Sequence, residues 1–301
     1  MKTNFIHQYY YLWSVVLVIP LWAFIIYKKK KSRVEMIYMG ILCGTCALAL
    51  DRYCSFYDYW RPPTIFNKFN LESFLYGFIF GGISTKIYEL LFNKEYYTPK
   101  SPNSLFVATI VFGSVFLYVV LRGLLSLNSV DIYVFILLMW AILFLIIDSG
   151  LYRICIWSGV IMIGLNICWY TVVLAIYPSA IREIWMTNNL KGLFIFNVPI
   201  EEHYFIFSLG CVGSIMYKVV TGTIKKRPYL TLSQRFNVLS PKSDRLDRKN
   251  DIGRSKPTMP SMLEWLKQFS LPLLFLMLVV GRMVIFGDDR VPVSQIFNLF
   301  R

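Results

Sequence analysis

Apolar residues gather into eight long runs, at about 9–27, 35–54, 71–92, 104–127, 130–148, 154–177, 200–221 and 268–286, separated by short charged or polar segments. A helix rises about 1.5 Å per residue, so about 20 apolar residues cross the hydrocarbon core of a bilayer. The pattern predicts an all-α fold, a polytopic membrane helical bundle of about eight spans. The first run ends at Lys28-Lys29-Lys30-Lys31 and has no small-residue cleavage site. A removable signal peptide carries its basic cluster on the other side, so this run is expected to be a retained span.

Spans one to three and five to seven take the same direction, with span four as the crossover. The expected organisation is a first three-span repeat (1–93), a connector span (94–129) and a second three-span repeat (130–221). A basic cytoplasmic linker (222–267) and an extra C-terminal span and tail (268–301) follow. Sliding the chain by 129 positions superposes Glu72 on Glu201, Tyr76 on Phe205, Phe78 on Phe207, Gly81 on Gly210 and Tyr88 on Tyr217. Chance likeness of apolar helices is the alternative to duplication. Parallel repeats generally place the functional site at their interface.

Composition supports the membrane reading. The 301 residues are 56% hydrophobic and only 16% charged, against about 25% charged in soluble domains. The net charge of +14 is concentrated: 225–267 holds eleven Lys/Arg against four Asp/Glu, and five more basic residues lie between Lys28 and Arg33. Both clusters abut spans, which places them in the cytoplasm against anionic headgroups and the N-terminus outside, most simply in the plasma membrane. No aromatic-studded basic module accompanies the charge, which excludes nucleic acid as a partner. The linker is expected to end in a short interfacial helix at 262–266, and Arg282 in the eighth span to snorkel to headgroups. Of six cysteines, most lie inside apolar runs, so Cys43-x-x-Cys46 reads as buried thiols rather than a metal site.

Chemistry concentrates where two of these runs begin. Phe196-Asn-Val-Pro-Ile-Glu-Glu-His-Tyr-Phe205 places Glu201, Glu202 and His203 at the mouth of a span, and Asn70-Leu-Glu72 echoes it. Ionisable groups there are costly and point to a site. The plainer reading is capping: Asn70 and Asn197 suit N-caps, Pro199 a first turn, and Glu72, Glu201 and Glu202 the helix dipole. Neighbouring helical residues diverge by about 100°, so Glu201 and Glu202 face apart. Glu201 is expected to share a face with Tyr204 and Phe205, as Glu72 does with Tyr76, each a carboxylate beside an aromatic ring that could shelter a cation. The preceding loops carry Trp60 and Trp185, either as an interfacial aromatic belt or as a lid over the polar end of a cavity.

Pro199-Ile-Glu-Glu-His-Tyr-Phe205 resembles the Pro-x-Glu-Glu/Asp-x-x-Phe signature of the integral-membrane, flavin-independent lycopene cyclases, found as two small subunits or fused to phytoene synthase. The resemblance extends over about 9–221 and implies two three-span halves, each with a carboxylate motif. It implies acid-catalysed closure of the acyclic ψ-ends of lycopene, or a related long polyene, into β-rings. Glu201 and Glu202 would then be catalytic carboxylates, and Glu72 a second carboxylate serving as base or charge partner. In the first copy Asn70 stands where the signature has Pro, and Ser73 where it has the second carboxylate.

Ring closure is an isomerisation, so no cofactor is expected, nor a metal. Phe205, Tyr204, Tyr76, Trp185 and Trp60 are the expected partners of substrate and cation; His203, Asn197, Asn70 and Pro199 are expected to orient the carboxylates. Homo- or hetero-oligomerisation fits the two-subunit pattern. The alternative is a non-catalytic cyclase-like subunit or a small-molecule transporter. A prenyltransferase would need aspartate clusters that Asp51 and Asp58 do not form, and a retinal protein a mid-span lysine that Lys218 does not supply.

Overall fold

A computed structural model of the protein describes residues 2–65, 70–94, 96–97, 102–125, 127–222 and 225–226. The expected basic linker beyond Lys226 and the eighth span lie outside the described residues. The chain is mostly helical: α1 (Lys2–Gln8), α2 (Tyr10–Val16), α3 (Ile19–Lys28), α4 (Arg33–Leu50), α5 (Phe56–Asp58), α6 (Leu71–Leu91), α7 (Ser104–Leu125), α8 (Ser129–Ile147), α9 (Tyr152–Ile176), α10 (Ala180–Ile184) and α11 (Ile200–Val220). One π-turn, Asp51–Ser55, continues α4.

Six helical stretches among the described residues are long and apolar enough to cross a membrane: Tyr10–Lys28, Arg33–Leu50, Ser104–Leu125, Ser129–Ile147, Ser149–Ile176 and Ile200–Val220. The third expected span forms as α6 but is not among them, because Glu72, Lys86 and Glu89 dilute its apolar run. It is a core helix of the bundle. Its residues from Ile79 to Glu89 are all buried, and it packs on α4, α11, α3, α9 and α2.

The first span is broken rather than straight. Pro20 has no N–H to give the preceding turn, and the Val18 N–H bonds to Val15 O at 3.0 Å. Ser14 O is thereby freed, and Trp169 Nε1 of α9 donates to it at 2.6 Å. The break thus ties the N-terminal helices to the second half of the chain.

The tightest packing is α4 on α6 and α9 on α11, with α8 and α6 also against α11. Two glycines 129 residues apart set these crossings. A Cβ at Gly81 would lie 2.5 Å from Cys43 Cβ, and one at Gly210 would lie 2.9 Å from Gly159 Cα. Without a hydrophobic driving force between helices in lipid, such close approach supplies the contact energy.

At the end of the bundle where α4 begins and α6 and α11 end, four charges are buried together. Lys86 Nζ lies 2.5 Å from Glu35 Oε2 and 2.8 Å from Glu89 Oε1, and Lys218 Nζ lies 3.0 Å from each of Glu35 Oε1 and Glu89 Oε1. None of the four side chains exceeds 4% exposure. Two cations and two anions cancel, which is the condition for keeping ions out of water. Removing one member strands the others. The Lys218→Met variant is expected to lose about 3–5 kcal/mol of stability, read as a lower unfolding temperature in detergent. A melting curve matching the parent's would show that the network does not hold α4, α6 and α11 together.

Candidate active site

From the opposite end of the bundle, a cavity of about 460 Å³ runs among α4, α6, α7, α8, α9 and α11 toward the charge cluster. On α11 its wall is a single stripe, Glu202, Phe205, Leu209, Val212, Gly213 and Met216. Fourteen residue steps at a rise of about 1.5 Å give it a length of about 21 Å. Its floor is apolar, with Met39, Ile110 and Trp140. Its upper end is aromatic and acidic. Trp60, Tyr76, Trp169 and Tyr170 surround that end, with ring centroids 6.4 Å apart for Trp60 and Tyr76, 6.0 Å for Tyr76 and Trp169, and 4.7 Å for Trp169 and Tyr170.

Two carboxylates face this end, Glu202 and Asp51. Each is held by one phenol and one indole. Glu202 Oε1 accepts from Tyr59 Oη at 2.6 Å and from Trp185 Nε1 at 3.1 Å. Asp51 Oδ2 accepts from Tyr11 Oη at 2.9 Å, and Asp51 Oδ1 from Trp60 Nε1 at 3.4 Å. Burial, and next the Glu202 carboxylate, push the Tyr59 hydroxyl well above the usual tyrosine range, so it remains a donor. Such donors are what allow a carboxylate to sit among aromatic rings without water.

The loops above the site are zipped together. Arg61 N donates to Ile184 O at 2.8 Å and Met186 N to Tyr59 O at 2.9 Å. Trp60 and Trp185 bridge through their backbones, with ring centroids 5.5 Å apart. Asp58 Oδ2 in the same loop accepts Ser129 N at 3.0 Å and pairs with Arg122 at 2.6 Å, anchoring the lid to α8 and α7. The arrangement is that of a lid. The two tryptophans that close it are also the indole donors to the two carboxylates.

Residues 128–220 match the family model Lycopene cyclase.

No curated protein and no solved structure matches the chain. The matched stretch takes in α8 to α11, and so carries Glu202, Phe205, Trp169, Tyr170 and Trp185 of the site. The family read from the Pro199–Phe205 motif and the family matched over this stretch are the same. Asp51, Tyr59, Trp60 and Tyr76 come from outside it.

The structure sorts the residues singled out in the sequence. Glu202, Phe205, Tyr76 and Trp60 line the cavity, and Trp185 touches it through Glu202. Phe205 joins Glu202, three residues before it, on the cavity wall, while Glu201, four before it and equally near along the helix, does not line the cavity. Glu201 and Glu72 are buried but are not among the residues lining the cavity. Each holds the loop before its own helix: Glu201 Oε1 accepts Lys191 N at 2.7 Å, and Glu72 Oε1 accepts Ile65 N at 2.8 Å. Their second oxygens have no partner among the described residues. Tyr204 turns outward, 42% exposed, with the Lys191 ammonium 5.5 Å from its ring centre.

Asn70 stands at the N-cap of α6 as expected, but Asn197 does not cap α11. Neither Asn70 nor Asn197 makes a side-chain cap bond; the N-cap of α11 is Pro199 itself. Asn197, at φ 61, and Phe196, at φ 52, form the turn of a small hairpin pairing Phe194–Ile195 with Val198–Pro199. Asparagine tolerates this left-handed conformation, and the turn claims it before the helix can. His203 meets neither carboxylate: Nε2 faces Ile195 O at 3.3 Å and Nδ1 faces Asn166 at 3.5 Å, which ties the hairpin to α9.

Asp51 is the residue that sequence reasoning missed as a site. Its signal was the one that flagged Glu201 and Glu202, an ionisable side chain near the end of an apolar run, but it was weighed only for a metal-diphosphate cluster. Ser73, where the signature would place a carboxylate, is buried beside Asp51.

The loop-holding role has its own test. Glu201→Ala removes the acceptor of the Lys191 N–H, a loss of about 0.5–1.5 kcal/mol, and is expected to speed amide hydrogen exchange across 187–199. Glu201→Gln keeps an acceptor and is expected to exchange near the parent rate. Equal exchange in both variants and the parent would show that the side chain does not hold the loop.

Proposed function

We propose that the protein closes rings on a long acyclic polyene such as lycopene, by proton addition from a carboxylic acid within an apolar chamber. The lycopene cyclase match over 128–220 supports a carotenoid cyclase-like function. The observation that carries the mechanism is the pairing of Asp51 and Glu202 at one end of an aromatic cavity.

In this reading Glu202, as the neutral acid, is the donor. Tyr59 and Trp185 both donate to Oε1, so the proton resides on Oε2. It passes to the terminal double bond, leaving a tertiary cation and a Glu202 carboxylate. The neighbouring double bond attacks the cation and closes the six-membered ring. The cation then moves to a ring carbon, and a ring proton returns to Glu202. Atoms and charge balance, and no electrons are gained or lost. Asp51, as a carboxylate, and the faces of Trp60, Tyr76, Trp169 and Tyr170 stabilise the intermediate. A cation over a dry aromatic face gains about 2 kcal/mol or more, and charge held by preorganised groups gains further in a water-poor site. Glu201 and Glu72 support this chemistry by fixing the loops that close over it. The apolar floor and walls favour a greasy substrate over the hydrated pathway that a transporter requires.

The test is expression in cells that accumulate lycopene, with chromatography of extracted pigments. Cyclised products are expected from the parent chain. Glu202→Gln is expected to lower conversion by about 10²–10⁴-fold, with Asp51→Asn also impaired; Glu201→Gln and Glu72→Gln are expected to retain more activity than Glu202→Gln. Unchanged lycopene despite verified membrane insertion would overturn the assignment. A Glu202→Gln variant as active as the parent would overturn the donor.

A further inference from the structure

We infer that the polyene reaches this cavity sideways from the bilayer, through a seam between α4 and α7, and keeps its far end in the lipid while the near end reacts. The identity of the guest rests on the cyclase reading; the location of the opening does not.

Burial of the cavity wall is uneven. Most of its lining on α11 and α9, including Leu209, Val212, Gly213 and Trp169, is buried. On α8, Val130, Tyr133 and Ile136 are buried and Leu137 and Trp140 half-buried. On α4, by contrast, Cys46, Ala47, Ala49 and Leu50 line the cavity yet are only half-buried, as is Val115 on α7. Val119 on α7 lines the cavity and is also 41% exposed. A side chain that belongs to both the cavity wall and the outer surface marks where the two meet.

The packing agrees. The principal partner of α4 is α6, and that of α7 is α8, so neither helix spends its main contact on the other. The α4 side of the seam carries the small residues Cys46 and Ala49, which leave width between the helices. Both helices are apolar enough to cross a membrane, so the seam faces acyl chains rather than water. The carboxylate end, meanwhile, lies under the Trp60–Trp185 lid. A molecule dissolved in the hydrocarbon core therefore has a direct path that a water-borne one lacks. Because the acidic groups occupy only one end of a chamber about 21 Å long, one polyene end is presented to them at a time.

The experiment places a photoreactive phenylalanine analogue at Val119 and, separately, at Phe116. Phe116 is 67% exposed on the same helix and does not line the cavity. Membranes containing lycopene are irradiated and adducts identified by mass. Polyene adducts are expected at position 119 at lycopene levels where position 116 captures only phospholipid. In parallel, Val119→Trp and Ala49→Trp are expected to lower pigment conversion by about tenfold or more, while Phe116→Trp converts as the parent does. Phospholipid alone at both positions, with both seam variants converting at the parent rate, would overturn the seam. Polyene adducts at position 119 in a parent chain that yields no cyclised pigment would keep the seam and overturn the cyclase reading.

Discussion

Inside lipid a polar side chain has no water to fall back on, and every donor and acceptor has to find its partner within the protein. For six of its ionisable side chains, all buried or half-buried, this chain meets that demand in two opposite ways, at the two ends of one bundle. Where α4 begins and α6 and α11 end, Glu35, Lys86, Glu89 and Lys218 neutralise one another completely. At the other end the phenols of Tyr11 and Tyr59 and the indoles of Trp60 and Trp185 donate to Asp51 and Glu202. A salt bridge would hold each carboxylate ionised and inert. Neutral donors hold it in place without adding a countercharge.

The same donors couple the site to its cover. Trp60 and Trp185 span the interface between two loops and at the same time hold the two carboxylates, so closure of the lid and orientation of the acids are one structural event. Beneath them, the broken first span brings Tyr11 to Asp51, and Trp169 locks the break by accepting the role that Val18 N–H gave up. The break at Val18 thus bears on the site at a distance, by freeing the Ser14 carbonyl to which Trp169 of α9 donates.

The stretch that matches lycopene cyclase carries Glu202 but not Asp51. The site is therefore assembled from both parts of the described chain, α4 and its π-turn giving one carboxylate and α11 the other. Asp51 lies beside Ser73, the position that lacks the second carboxylate of the signature. A side chain from a neighbouring helix thus brings an acid to a place where the local sequence has none.

Much of this could be read without coordinates. The apolar runs determine the helices, since length and hydropathy alone set which segments can satisfy their backbone in lipid. The Pro199–Phe205 motif marks α11, and the 129-residue echo pairs Glu72 with Glu201, which do the same work on their two loops. What the sequence could not decide is which of two adjacent glutamates faces the cavity. Helical periodicity separates Glu201 from Glu202 but does not say which side is inside; that depends on where α8 and α9 lie against α11. Likewise nothing local marks Asp51 as the partner of Glu202, or α6 as a core helix, because both follow from neighbours distant in the chain. The tertiary structure settles these by packing, which alone turns a periodic stripe into an inner wall.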